Sequence, residues 1–134
     1  MPESLYSKDA EPRGVAAVDR GAVRQLQEQL GEDGMAQLVA AFLDRTPDRL
    51  ITLRAAAGER DASKVRAHAN FVKGTARSFG AAEMGEIAAR LERESADGSL
   101  DNADQLVAAI VASFERTRAE MEQQVVGLPS RLQP

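Results

Sequence analysis

Apolar side chains return at intervals of three and four along most of this 134-residue chain, and nowhere do they alternate with polar ones as a half-buried strand requires. That periodicity confines the chain to amphipathic helices, which are stable when their apolar stripes face one another. Glycines and prolines interrupt the stripes and so separate the helices. Asp19 is a fitting N-cap for the first, with Val18 and Val23 at the N′ and N4 positions of a hydrophobic staple; Val23, Leu26 and Leu30 then form a buried stripe that stops at Gly31. A second helix starts near Asp33 with the stripe Met35, Leu38, Val39, Phe42 and Leu43, which resumes beyond Thr46-Pro47-Asp48 at Leu50, Leu53 and Ala57. Pro47 removes a backbone donor and Thr46 can cap a fresh helix, so this stretch fits one kinked helix or two nearly collinear ones.

Three more helices are expected: from about Ala62 to Phe79, ended by Gly80; from about Ala82 to Ala96, burying Met84, Ile87, Ala88 and Leu91; and from about Asp101 to Val125, burying Leu106, Ile110, Phe114, Thr117 and Met121. The expected fold is all-α, an up-down-up-down antiparallel four-helix bundle with a short extra N-terminal helix. The helical domain is expected over residues 16–126, between flexible tails at 1–15 and 127–134.

Composition narrows the function. A net charge of −4 with both signs interspersed argues against a nucleic-acid partner. The absence of cysteine excludes disulfides and thiolate metal sites and fits a cytoplasmic protein. No apolar run approaches the roughly 20 residues that span a bilayer, so no membrane partner is expected; the N-terminus lacks the basic-then-apolar pattern of a signal peptide. With one histidine, and no recognisable metal or phosphate-loop motif, neither an enzyme nor a metal or cofactor site is expected. The many carboxylates read as solvated helix faces, and a monomer is expected.

The helix over 62–79 carries the chemistry. At about 100° per residue, Val65, Ala69, Val72, Ala76 and Phe79 fall on one narrow core stripe. Arg66, Asn70, Lys73 and Arg77 form a second row, about a quarter-turn or more away, with Gly74 just beyond it. A mid-helix glycine costs about 0.5–1 kcal/mol relative to alanine. Gly74 points nearly opposite to the core stripe, so core packing does not explain it, and close approach by a partner does. Lys73 and Arg77 read either as solvated cations or as a small anion-binding patch. Phe71 and Ser78 lie further round and flank the same surface.

The stretch Ala69-Asn70-Phe71-Val72-Lys73-Gly74-Thr75 resembles the histidine-phosphotransfer (HPt) signature Ala-His-x-x-Lys-Gly-Ser/Thr. Ser78-Phe79-Gly80-Ala81 is similar to the hydrophobic-Gly-Ala end of that family's site helix, and Leu91-Glu92 to its later Leu-Glu pair. Upstream, Phe42-Leu43-Asp44-Arg45-Thr46-Pro47-Asp48-Arg49-Leu50 resembles its Phe-Leu-x-x-Thr-Pro-x-x-Leu helix. The resemblance spans roughly residues 18–122. It implies a four-helix bundle in a two-component phosphorelay, with response-regulator receiver domains and a hybrid sensor histidine kinase as partners. The family's histidine takes phosphate from a receiver aspartate and passes it to another. Carried over, Lys73 is the cation that stabilises the phosphate and Gly74 the clearance for the receiver.

The acceptor position departs from the signature, because it holds Asn70. Phosphotransfer needs a nucleophilic lone pair, which neutral imidazole offers near neutral pH. An amide nitrogen is a donor only. Asn70 is therefore not expected to hold a transferable phosphoryl group. His68, the one histidine, lies about 160° around the helix from Asn70 at the margin of the core stripe, and reads as a partly buried structural side chain. Asn70 is either natural, as in family members with asparagine here that act as relay inhibitors, or an engineered replacement in an ordinary relay protein. A non-signalling adaptor bundle is the alternative outside the family.

Overall fold

The computed structural model describes residues 15–124; the expected tails at 1–15 and 127–134, and the expected helix end at Val125, lie almost wholly outside them. Four helices follow one another: α1 (Arg20–Gly58), α2 (Ala62–Phe79), α3 (Ala82–Ala96) and α4 (Ala103–Gln124). No strand occurs among the described residues. Each helix packs on the next, and α4 returns to α1, so the four close into a bundle, with α2 and α3 the most intimate pair. The connections are short, which suits antiparallel neighbours.

The helix ends follow local chemistry. The Asp19 side chain accepts a hydrogen bond from the Ala22 amide at 3.1 Å, and Asp61 does the same for Lys64 at 3.1 Å, each satisfying an otherwise orphaned donor. Gly80 ends α2 at φ 87°, and the Ala81 amide reaches back to the Ala76 carbonyl at 2.8 Å. A Cβ on Gly80 would stand 3.2 Å from Val23, so this glycine answers both to its torsions and to the chain entry packed against it.

One expectation holds and another changes. The short N-terminal helix ends at Gly31, at φ 75°, ψ 178°, torsions that glycine alone tolerates readily, so α1 is two helices that meet at a kink there. Leu30, expected in the core, is 45% exposed. Burial fades along this segment, from Val18 and Val23 in the core through half-buried Leu26 to Leu30, because only its first turn lies against the bundle. At Pro47 the alternative left open resolves to continuous helix, since Gly31 is the residue of α1 with non-helical torsions. Pro47 faces solvent, while Thr46 and Leu50 on either side are buried and hold the two halves to the bundle.

The core consists of the stripes read from periodicity. Leu53, Val65, Ala69, Met84, Ile87, Leu91, Leu106, Ile110 and Met121 are fully enclosed. At one level Phe42 stacks on Phe79 with centroids 4.2 Å apart and meets Phe114 at 5.6 Å, joining α1, α2 and α4. One carboxylate expected at the surface is inside. Glu83 is 7% exposed and accepts from Ser113 Oγ at 2.8 Å and from Arg116 at 2.9 and 3.1 Å, tying α3 to α4.

Candidate functional site

The α2 core stripe turns one face of the helix inward, and the row beside it emerges as its geometry requires. Val65, Ala69, Val72, Ala76 and Phe79 are all buried. Arg66, Asn70, Gly74, Arg77, Phe71 and Ser78 are exposed, and Lys73 is half-buried. His68 is intermediate in burial, consistent with its place at the stripe margin.

Gly74 is an open notch: a Cβ built there meets nothing within 4 Å. No neighbour in the bundle calls for glycine at this position. The Ser78 hydroxyl donates to the Gly74 carbonyl at 2.8 Å, a local bond within the helix. Arg77 leans toward α3, where its side chain lies over Gly85 and its guanidinium is 3.7 Å from Glu86. A Cβ on Gly85 would come within 3.1 Å of the Arg77 side chain, so the bare backbone of α3 gives that arginine its resting place.

At the centre of the row stands a residue that reading α2 alone misses. Glu92, on α3, accepts from Lys73 Nζ at 2.6 Å through one oxygen and from Asn70 Nδ2 at 2.7 Å through the other. Lys73 is thus not a free solvated cation; its partner is an internal carboxylate. The Lys73 ammonium, ahead of the opposing effect of burial, and then the Asn70 amide and the charges of Lys73 and Arg66 hold the Glu92 carboxyl below the usual carboxylate range. The Leu91-Glu92 pair was visible in sequence as a likeness only; its partners across the helix pair were not.

On the other side of Phe71 a groove of about 310 Å³ runs between α1 and α2, lined by Leu38, Phe42, Thr75 and Phe79 with Arg45 and Arg49 at its rim. The Arg49 guanidinium lies 3.9 Å above the Phe71 ring, a cation–π contact that holds this aromatic half exposed at the groove edge. Among the described residues no group of three or more His, Asp or Glu side chains is placed to hold a metal ion. None of their helices is long and apolar enough to cross a membrane.

The molecule is thus a four-helix bundle that displays a polar row and a bare notch on one of its helices. Residues 37–123, more than half of the chain, match the Hpt domain, and the chain belongs to the HPt family of phosphorelay proteins. Among solved structures it is similar to the crystal structure of histidine-containing phosphotransfer protein B from Pseudomonas aeruginosa, with 27% identity and a TM-score of 0.77 over 83% of this chain and 96% of that one. The comparison with curated proteins gives no match.

Proposed function

We propose that this chain is a monomeric, cytoplasmic receiver-docking member of its family that does not itself carry the phosphoryl group. The docking face is centred on Asn70, Lys73, Gly74 and Arg77, with Arg66, Phe71 and Ser78 around it. The observation that carries this reading is the pairing of an exposed asparagine at the signature's acceptor position with an open glycine notch one turn along the same face. An amide cannot supply the lone pair that imidazole does, whereas nothing in the exchange of one exposed polar side chain for another removes the surface a receiver would meet. Gly74 lets a partner's backbone come close to α2, and the cations on the row complement the acidic pocket that surrounds a receiver's aspartate.

The test is binding of receiver domains from the source organism to the full chain. Gly74→Arg should abolish binding while leaving the helical circular dichroism and the melting transition near those of the parent, because its side chain projects into solvent. Unchanged affinity would remove this surface from consideration. Restoring Asn70→His and adding a phosphorylated receiver then separates two origins of the asparagine. Rapid acid-labile labelling marks a relay protein with a disabled acceptor; no labelling marks a dedicated decoy. A chain that binds no receiver would be a helical adaptor built on the HPt fold, and the docking reading would fall.

A further inference from the structure

Glu92 reaches across from α3 and sets both carboxylate oxygens on the α2 row, one on Lys73 and one on Asn70. The Lys73 and Glu92 side chains are only 24% and 19% exposed, so the pair is partly withdrawn from water, where a charge interaction is less screened than on an open surface. A carboxylate can only accept hydrogen bonds. The amide nitrogen of Asn70 must therefore face Glu92 with one of its two N–H groups, which leaves its carbonyl oxygen and the second N–H for a partner. The resting face is in this way different from the one its sequence suggests. The charge of Lys73 is offset from within, and the central position offers an acceptor with one N–H beside it.

We infer that Glu92 is an internal competitor for acidic partners: it holds Lys73 in the free protein, and a docking receiver must draw Lys73 away from it. This rests on the receiver-docking reading and adds how that face is regulated. An acidic pocket approaching the row meets the negative Glu92 carboxylate beside a lysine already committed to it. Docking then becomes an exchange of one carboxylate for another on the same ammonium. Exchange favours receivers whose pocket carries enough negative charge to displace Glu92, and it disfavours weakly acidic surfaces that a free lysine would also attract. Glu92 is thus a specificity-determining residue on a helix that does not carry the signature.

The test measures receiver affinity for the full-length chain and for Glu92→Gln, Lys73→Gln and the double variant, with Gly74→Arg as the control for docking. Glutamine keeps the size of the side chain and can still accept from Asn70. Glu92→Gln should tighten binding roughly three- to tenfold, the range for a partly desolvated charge. In the Lys73→Gln background the same change should alter affinity by less than about twofold, because no ammonium remains to be shared. Equal or weaker binding by Glu92→Gln, with Gly74→Arg still abolishing it, overturns the competition and leaves docking intact. Equal tightening in both backgrounds also overturns it, by showing plain repulsion without exchange. Absence of receiver binding by parent and variants removes the docking reading and this inference together. A second readout applies even where Lys73→Gln binds too weakly to measure. The Glu92 carboxyl carbon resonance of the unsubstituted chain should move on saturation with receiver as Lys73 departs, and an unmoved resonance in the complex overturns the exchange.

Discussion

At the scale of single residues, the Lys73–Glu92–Asn70 cluster governs how the α2 face behaves with pH. Lys73 is the first cause of the depressed Glu92 carboxyl, whose ordinary value is 4.5. A folded-state value below the unfolded one means that folding favours the ionised form. The stabilisation is therefore fully present above about pH 4.5 and is lost as the pH falls through the lower folded value. A carbon-detected titration should show Glu92 protonating below the ordinary carboxylate range, and Lys73→Met should bring its midpoint back up. An unaltered midpoint in that variant would mean that the ammonium is not what holds the carboxyl down. The row Arg66, Asn70, Lys73 and Arg77 was legible from sequence because residues on one helix face are fixed by an angle per residue. Glu92 was not, since it lies 19 residues beyond Lys73 and 22 beyond Asn70, and no local rule sets the register between two helices.

At the scale of elements, two glycines of the α2 region should respond oppositely to one added methyl group. Gly74 has helical neighbours and open space around it, so Gly74→Ala should raise stability by about 0.5–1 kcal/mol. Gly80 sits at φ 87° with Val23 close by, so Gly80→Ala should lower it by about 1–2 kcal/mol or more. Denaturant unfolding of both variants checks the pair of signs. A stabilised Gly74→Ala would establish that folding is served better without this glycine. The helix boundaries at 62–79 and 82–96 coincide with those expected from sequence, because Asp61 caps the first and Gly80 separates the two. The break at Gly31 was legible too, because glycine is the residue that accepts such torsions, whereas the exposure of Leu30 was not, since it depends on what that segment packs against.

At the scale of the whole molecule, the bundle is held by stripes that meet and by a few cross-links between helices. The aromatic level formed by Phe42, Phe79 and Phe114 joins three of the four helices beneath the groove that Phe71 and Arg49 border. Phe42→Ala should cost about 3–5 kcal/mol in an equilibrium unfolding experiment, the range for deleting a buried ring. A loss well below that would show that the neighbours collapse into the space. The sequence alone determined the all-α class, the core stripes and the exposed row with its bare glycine, since each depends on periodicity and capping within one segment. Only the tertiary structure decided that Glu92 closes over Lys73 and Asn70, that Glu83 is buried against Ser113 and Arg116, that Leu30 is exposed, and that α1 continues through Pro47. Each of these depends on which surfaces of separate helices come to face one another, and that is settled by packing across the bundle rather than by the residues next in the chain.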